Sequence, residues 1–510
     1  MKKPTPQQIN AKAQQAYALA QRGQLMQAAA LLGPVMPHAK AMPAVLDLYA
    51  SVRASQGHHA EAADYYRQIL RGNHTAHDTR HRLAVCLRRM GRFDEAIQQI
   101  ERIRETEPWA PSPVLSLVDI YGALGMHAAS VALLDDLEAN APSHAISDAI
   151  AARITIARTR ISGETADADA ALRQAENESL TPDTRAALAT HAGRAYDNAG
   201  RADDAFAALS LGKSYRNLAF DADEYRRRID ACIAFWTDGE GAALPATDHD
   251  GSGFVFIVGM PRSGTSLLEQ MLGRLPGVAP MGERAEIVRL AGGINTPDRE
   301  DMPTLVTAIG RYTTENMGQI MPRVLADYRE AADRVEPGAA TLVDKQVFNF
   351  FHLPLIARVL PGARVLHIAR NPADTAISCY SQWFNRRYHF TADMAALGAY
   401  YRGYRRVVDA WRALPAPAGR PEMLDVQYER LVREPEPAMR EILGFLGLPW
   451  DERALSPEQA DRVVMTASRD QVRSAINTKA VARWKPYESH LAPFFASAGP
   501  EIEADARTER

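Results

Sequence analysis

The segment from Phe254 to Leu272 constrains the fold of this chain more than any other stretch of its sequence. Its first part, the apolar run Phe254–Val258, is short and rich in β-branched and aromatic residues, which predicts a buried parallel strand. Apolar residues then recur at helical spacing, at Leu267, Leu268, Met271 and Leu272. Residues 259–266 must therefore turn sharply between a strand and a helix, the local arrangement from which α/β domains are built.

The turn contains groups that predict an anion site. Gly264 allows the backbone to approach a ligand closely, because glycine has no side chain. Further donors are the first N–H groups of the helix and the side chains of Arg262, Ser263, Thr265 and Ser266. The glycine spacing resembles the phosphate loop of nucleotide hydrolases, except that Thr265 replaces the lysine, which argues against a magnesium-dependent ATPase or GTPase. The competing interpretation is an ordinary glycine-containing turn without a ligand.

Length and composition bound the class of protein. At 510 residues with 46% apolar content, the chain is expected to form two or three well-packed domains. The 59 basic and 62 acidic residues nearly balance, so no global charge predicts binding to nucleic acid or to an anionic membrane. Three widely spaced cysteines argue against a disulfide framework and a structural zinc, and no segment approaches a membrane-spanning apolar run. We therefore expect a reducing, cytoplasmic setting and no transmembrane segment.

A 34-residue repeat organises the N-terminal half of the chain. Glycine followed five residues later by a small residue recurs at this interval at Gly23, Gly57, Gly91 and Gly125, and less regularly at Gly163 and Gly200. The interval is that of tetratricopeptide repeats, in which the glycine ends one helix and the small residue lets the next helix pack closely. We expect about six helical hairpins over residues 7–217, stacked as an all-α solenoid.

The predicted domains follow from this repeat. Residues 1–236 form the solenoid with a capping helix, residues 237–252 form a linker rich in Gly, Asp, Ala and Pro, and residues 253–510 form the α/β domain. The concave face of such an array usually binds something extended, which favours a protein or peptide partner. A spacer or a dimerisation platform, and hence a homodimer, is the alternative with equal weight.

Polar residues follow the strands predicted in the C-terminal half. Lys345 leaves one short strand, Arg370 ends another, and Ser378 lies eight residues later on the following helix. Because ligands bind at the carboxyl ends of strands in open α/β sheets, these side chains are candidates for the site. Glu283 is the first carboxylate available near the loop, and its alternative role is an interaction with a helix macrodipole. For Lys345 the alternative is a solvent-facing side chain.

The sequence Pro261–Ser266 after a hydrophobic strand resembles the 5′-phosphosulfate loop of sulfotransferases that use 3′-phosphoadenosine 5′-phosphosulfate. The likeness is greatest to the tyrosylprotein type and its bacterial relatives fused to tetratricopeptide repeats, and it covers essentially the whole chain. It implies a three-layer, phosphate-loop-like α/β domain with a parallel sheet. It also implies that the 5′ end of the donor is bound by Arg262, Ser263, Gly264, Thr265 and Ser266.

The resemblance assigns the other end of the donor as well. Arg370 and Ser378 match the family's 3′-phosphate site, where a guanidinium fork and a serine hydroxyl bind the phosphate. Tyr428 matches the tyrosine of a Tyr-Glu-x-Leu element that lies near the nucleotide. Arg483 and Lys485 fall where a late basic loop of sulfotransferases folds over the 3′-phosphate and adenine.

The resemblance also implies catalytic roles. Glu283, in a Gly-Glu element, is expected to be the general base that takes the proton from the acceptor hydroxyl, with Glu286 as the reserve candidate. Lys345 and Arg262 are expected to neutralise negative charge on the departing 3′-phosphoadenosine 5′-phosphate. A serine that approaches the sulfuryl group in the tyrosylprotein enzymes has no match here, because alanines occupy that region.

The expected function is transfer of a sulfuryl group from 3′-phosphoadenosine 5′-phosphosulfate to an acceptor hydroxyl by in-line displacement, without a metal ion. A tyrosine in a protein or peptide, a saccharide, a lipid and a small metabolite all present suitable acceptors. One rival is a phosphate-loop kinase, which would consume ATP with magnesium. The other is a non-catalytic adaptor whose repeats bind a partner while the C-terminal domain senses a nucleotide.

Overall fold

The structure, a computed structural model, describes residues 3–238, 241, 244, 246–292, 314–384, 388–416, 419–459 and 475–508. The chain divides into two compact units, Met1–Ala199 and Gly200–Arg510. The first unit is helical throughout its described part, and the second contains a parallel sheet. The predicted fold class is therefore confirmed, while the domain limits at residues 236 and 252 stay predictions.

Helices of the first unit follow one another in pairs joined by short turns. They are α1 (Pro6–Gln21), α2 (Leu25–Leu32), α3 (Pro43–Ser55), α4 (His59–Gly72), α5 (His77–Arg89), α6 (Phe93–Arg104), α7 (Pro111–Ala123), α8 (His127–Asn140), α9 (Asp148–Ser162), α10 (Thr165–Ala175) and α11 (Pro182–Asn198). Packing is closest between sequence neighbours, as in α3 with α4 and α5 with α6. This pattern is that of a solenoid of helical hairpins.

The repeated glycines end the first helix of each pair. Gly57 and Gly91 have φ angles of +85° and +75°, in the left-handed region that glycine occupies without strain. The small residues five positions later, among them Ala62 and Ala96, are fully buried. Tyr66, Ile100 and Leu134, nine positions after their glycines, lie in the core as the repeat predicts.

Two helices that the sequence analysis placed in the solenoid region belong to the second unit. They are α12 (Ala202–Arg216) and α13 (Ala222–Thr237). On α12, the hydroxyl of Ser210 lies 2.9 Å from that of Tyr380. On α13, the ring of Tyr225 stacks on that of Tyr400, with 4.8 Å between centroids. Both helices are thus part of the packing of the α/β unit.

The sheet of the second unit has five parallel strands in the order β2-β3-β1-β4-β5. They are β1 (Phe254–Gly259), β2 (Val278–Pro280), β3 (Thr341–Asp344), β4 (Arg364–Ala369) and β5 (Glu422–Gln427). The central strand β1 pairs Phe256 with Asp344 of β3 and with Val365 of β4. It is buried along its whole length, as its continuous apolar sequence predicts.

Helices cover both faces of this sheet. They are α14 (Thr265–Leu272), α15 (Glu286–Gly292), α16 (Thr314–Asp333), α17 (Leu353–Val359), α18 (Pro372–Tyr380), α19 (Met394–Ala413), α20 (Tyr428–Arg433), α21 (Pro435–Leu446), α22 (Ala492–Ala498) and α23 (Pro500–Arg507). One face buries Ile257 and Leu366 against α14 and α21. On the other face, α19 contributes Trp411, whose indole N–H donates to the carbonyl oxygen of Phe350 at 2.9 Å. None of the helices in the described segments is long and apolar enough to cross a lipid bilayer.

The parallel arrangement brings every carboxyl strand end to one edge of the sheet. The segments that leave this edge begin at Met260 after β1, Met281 after β2, Lys345 after β3, Arg370 after β4 and Tyr428 after β5. Each of the five contains or immediately precedes a candidate site residue. The fold therefore gathers residues that lie far apart in the sequence.

Leu134 tests the predicted core of the repeat array. Its side chain is fully buried, so Leu134→Ala is expected to lower the free energy of unfolding by about 2–5 kcal/mol. Leu124→Ala is the control, because Leu124 is 42% exposed and its removal leaves no comparable cavity. Thermal melts followed by circular dichroism give the comparison. Equal melting temperatures for both variants would contradict the core assignment.

Candidate active site

The turn between β1 and α14, residues 259–266, packs closely against its neighbours. At two of its positions only glycine fits. Gly264 has a φ of +106°, and a Cβ there would lie 2.4 Å from the Tyr428 ring. Gly259 has a φ of +152°, and a Cβ there would lie 2.5 Å from the carbonyl oxygen of Ile368. The loop backbone therefore packs directly against β4 and the residue after β5. We refer to residues 259–266 as the anion loop.

Hydroxyl groups of the anion loop are buried. Ser263, Thr265 and Ser266 are all shielded from solvent, and α14 begins at Thr265. Within the described part of the chain, the Ser263 hydroxyl is buried without a hydrogen-bond partner. A buried hydroxyl in this state is unfavourable by itself, which fits a ligand oxygen as the missing partner. The N-terminus of α14 adds the positive end of a helix dipole.

The structure brings the predicted 3′-phosphate residues to the anion loop. Arg262 donates from Nε to the Ser378 hydroxyl at 3.1 Å, and Arg370 donates to the Arg262 carbonyl oxygen at 2.9 Å. The Arg370 guanidinium also lies over the Tyr428 ring, 4.9 Å from its centroid. Its Nε is buried and, among the described residues, has no hydrogen-bond partner. Four of the predicted site residues thus lie together.

Asp374 was not predicted from the sequence as a site residue. It fixes residues 480–485, which include Arg483 and Lys485 and which we call the late basic loop. Its carboxylate accepts from the backbone N–H of Ala482 at 2.8 Å and of Trp484 at 2.9 Å. Arg483 lies between these two anchors and is half-buried, whereas Lys485 is exposed. Burial raises the pKa of Asp374, and the nearby Arg370 partly opposes that change. Arg370 further donates to the carbonyl oxygen of Ala480, so both side chains attach this loop to the end of β4.

Glu283 and Lys345 form an ion pair at the carboxyl ends of β2 and β3. The Lys345 ammonium donates to Glu283 Oε1 at 2.7 Å. The lysine side chain is 1% exposed and that of Glu283 is 44% exposed. A solvent-facing role for Lys345, the alternative considered from sequence, is therefore wrong. The pair presents a buried cation and a carboxylate that is open to solvent on one side.

Glu286, the reserve carboxylate, is in a different environment. It is buried, and both of its oxygens accept from the Arg284 guanidinium, one of them at 3.2 Å from Nε. Both oxygens are engaged by this guanidinium and the side chain is shielded from solvent, so Glu286 presents no open oxygen to an acceptor. Of the two carboxylates, Glu283 is the one with an accessible oxygen.

Two further buried carboxylates lie next to this ion pair. Asp344 precedes Lys345 at the end of β3, and Glu269 lies on α14. Burial raises the pKa of Asp344 to about 7, although hydrogen bonds from Tyr328 and from the backbone of Gln346 and Arg284 act in the opposite direction. Sequence reasoning missed both residues. The one available signal was the position of Asp344 beside Lys345 at a strand end.

A cavity of about 670 Å³ borders Arg370 on the side of α19. Its wall includes a hydrogen-bonded chain in which His367 contacts Asp425 at 2.6 Å and Tyr404 at 2.5 Å. Burial raises the pKa of Asp425, but its hydrogen bonds from His367 and Arg412 outweigh this and bring the value to about 2. Arg370 and Lys485 line this cavity and are also among the phosphate-binding candidates.

Two segments of the chain match the models of known protein families. Residues 255–452 match the model of the sulfotransferase family, and residues 53–112 match a tetratricopeptide repeat. The first match includes the anion loop, Glu283, Lys345, Arg370 and Tyr428. The second falls within the helical array of the first unit.

Individual relatives agree with these matches. An uncharacterized protein of Aquifex aeolicus is 31% identical over 305 residues, which make up 56% of this chain and 38% of that protein. Protein-tyrosine sulfotransferase 1 of Danio rerio is 26% identical over 259 residues, or 48% of this chain and 69% of that enzyme. This chain thus spans well under half of its Aquifex relative.

Among solved structures, the sulfotransferase domain of the Synechococcus PCC 7002 olefin synthase is similar to this chain. The two are 22% identical in sequence and superpose with a TM-score of 0.34. The match covers 48% of this chain and 90% of that domain.

Gly264 tests the close packing of the anion loop. Gly264→Ala is expected to destabilise the second unit by more than the roughly 1–2 kcal/mol of a left-handed alanine, because its Cβ also meets the Tyr428 ring. Gly277→Ala is the matched control, since Gly277 has a φ of +72° but open space around its Cα. Thermal melts of the two variants separate the contributions. An equal loss in both would mean that the Tyr428 contact adds nothing.

Proposed function

We propose that this chain is an enzyme that transfers a sulfuryl group from 3′-phosphoadenosine 5′-phosphosulfate to an acceptor hydroxyl. Its C-terminal unit contains the segment that matches the sulfotransferase family, and its N-terminal unit contains the segment that matches a tetratricopeptide repeat. The observation that supports it most is the convergence of three groups at one sheet edge. These are the anion loop, the Arg370–Ser378 pair and the Lys345–Glu283 ion pair. Together they provide sites for both ends of a bisphosphate nucleotide and an adjacent proton acceptor.

The residues present fit this donor. The buried Ser263 hydroxyl and the Arg370 Nε are polar atoms that need a partner. The anion loop would bind the 5′ end, with Thr265 and Ser266 as further donors. The 3′-phosphate would be bound by Arg370 and Ser378, near Tyr428, and covered by Arg483 and Lys485 of the late loop.

Proton transfer is assigned to Glu283. When bound, the donor supplies an electrophilic sulfuryl group, and the product is 3′-phosphoadenosine 5′-phosphate. The accessible carboxylate of Glu283 takes the proton from the acceptor hydroxyl as the oxygen attacks sulfur in line. The Lys345 ammonium, fixed by that same carboxylate, and the Arg262 guanidinium stabilise the negative charge that develops on the departing phosphate oxygen.

The acceptor is proposed by chemical class. A tyrosine in a protein or peptide is favoured by the tetratricopeptide repeats, since such arrays bind extended chains, and by the tyrosine sulfotransferases among the relatives. A saccharide or a small metabolite also offers a hydroxyl. Incubation of the purified chain with sulfur-labelled donor and a lysate of its host, followed by identification of the labelled species, distinguishes these classes.

Arg370 is the residue with which to test donor binding. Arg370→Ala removes charge-assisted hydrogen bonds worth roughly 1.5–3 kcal/mol, so the affinity for 3′-phosphoadenosine 5′-phosphate is expected to fall about 10- to 100-fold. Titration calorimetry measures this, with Arg334→Ala as the control because Arg334 is exposed at the end of α16. No heat with the bisphosphate, together with tight binding of ATP and magnesium, would refute the proposed donor and favour a kinase.

Glu283 is the residue with which to test the chemistry. Glu283→Gln is expected to lower the turnover number by about 100- to 10,000-fold, the usual contribution of a general base, with little change in donor affinity. Glu286→Gln is the matched control, because that carboxylate is buried against Arg284. Labelled sulfate transfer measures turnover, and calorimetry measures affinity. A large loss in Glu286→Gln with normal turnover in Glu283→Gln would transfer the role to Glu286.

A further inference from the structure

The loop that contains Glu283, residues 281–284, is joined to β3 and the residue after it by two backbone hydrogen bonds. We call it the carboxylate loop. Met281 N–H donates to the Val343 carbonyl oxygen at 2.9 Å, and Lys345 N–H donates to the Gly282 carbonyl oxygen at the same distance. These two bonds extend the β2–β3 ladder past the end of β2. They leave the N–H groups of Gly282 and Arg284 to be satisfied by other partners.

Side-chain carboxylates accept from both of those N–H groups. Gly282 N–H donates to Glu269 Oε1 at 2.8 Å, and Arg284 N–H donates to Asp344 Oδ1 at 3.3 Å. Glu283 lies between the two anchored positions. Its backbone is therefore fixed on both sides by buried carboxylates.

Asp344 links the carboxylate loop to Lys345 as well. The oxygen that accepts from Arg284 also accepts from Gln346 N–H at 2.9 Å, immediately after Lys345. The other oxygen accepts from the Tyr328 hydroxyl at 2.8 Å and from the Asn349 amide at 3.3 Å. One carboxylate thus fixes the peptides next to both members of the Lys345–Glu283 pair.

Glu269 makes a comparable link to the anion loop. It lies on α14, whose first turn contains the hydroxyls of Thr265 and Ser266. Its hydrogen bond to Gly282 therefore connects the helix that follows the anion loop with the carboxylate loop. Displacement of the carboxylate loop from either anchor would move Glu283 relative to Lys345.

We propose that Asp344 and Glu269 are positioning residues that hold Glu283 against Lys345 and in register with the anion loop. The inference rests on the proposed function, because it assigns these residues to the placement of the general base. Neither residue is placed in contact with the donor or the acceptor. Their expected effect is on turnover, because misplacement of a reacting group by about 1 Å can lower a rate by roughly 100-fold.

The Asp344 carboxyl is buried among other titratable groups. The titratable groups that face it are Tyr328 on α16, Arg284 of the carboxylate loop and Glu286 at the start of α15. Burial raises its pKa from 3.8 to about 7, so the folded chain retains a proton that the unfolded chain has lost. The contribution of Asp344 to the free energy of unfolding therefore falls as the pH rises from 3.8 to about 7. At pH 8 the carboxyl is ionised, which is the form that burial disfavours.

The test compares Asp344→Ala, Asp344→Asn and Glu269→Gln in the full chain. Sulfate transfer is expected to slow about 10- to 100-fold in Asp344→Ala, with affinity for 3′-phosphoadenosine 5′-phosphate within about twofold of wild type. Asp344→Asn keeps one acceptor oxygen and should recover part of the rate. Asp250→Asn is the control, an exposed carboxylate that accepts from Ser252 N–H before β1.

Hydrogen exchange of the loop amides gives a readout that does not need activity. The N–H groups of Gly282 and Arg284 should be protected in wild type and exchange faster in Glu269→Gln and Asp344→Ala respectively. Unchanged exchange in both variants overturns the inference, whether or not the wild type transfers sulfate. Absence of sulfate transfer by the wild type, by contrast, contradicts the proposed function and leaves the exchange test valid. Loss of melting temperature and donor affinity in parallel with rate in Asp344→Asn also overturns it, because that pattern marks a purely structural residue.

Discussion

The parallel pairing of β1 with β3 on one side and β4 on the other is the constraint on which the candidate site depends. Its register sets Phe256 beside Asp344 and Gly259 beside Ile368, so Lys345 and Arg370 leave the sheet on either side of the anion loop. A shift of one residue in either ladder would turn the strand's side chains to the opposite face. The relative placement of the two cations is therefore fixed by backbone hydrogen bonds rather than by their own contacts.

Features with a local pattern could be predicted from the sequence. The strand-turn-helix around Gly264 and the 34-residue repeat both depend on spacing, and the strand-end positions of Lys345 and Arg370 follow from a general rule for parallel sheets. The depth at which Lys345 is buried, and its pairing with Glu283 across 62 residues, depend on tertiary packing that spacing does not encode. For the same reason, the packing of α12 and α13 in the second unit could not be predicted, because a helical period does not indicate which unit a helix packs against.

The residues that sequence reasoning missed share one physical role. Asp344, Glu269 and Asp374 are buried carboxylates, and each accepts backbone N–H groups of a loop that contains predicted site residues. Their partners lie 60, 13 and 108 residues away, and a single acid within a strand or helix produces no pattern. Burying a carboxylate is unfavourable unless hydrogen bonds compensate, and here the compensating donors are backbone N–H groups of these loops. The loops are thereby ordered before any ligand binds, which lowers the entropic cost of binding.

Thr265 stands where the phosphate loop of nucleotide hydrolases has a lysine, so the charge of that lysine must come from other positions in this chain. Positive charge reaches this edge from neighbouring strands, with Lys345 attached to the carboxylate loop and Arg370 attached to the anion and late loops. These two cations leave the sheet on opposite sides of β1, Lys345 after β3 and Arg370 after β4. In the proposed mechanism, Arg370 contributes to donor binding and Lys345 to charge stabilisation, whereas Arg262 of the anion loop contributes to both.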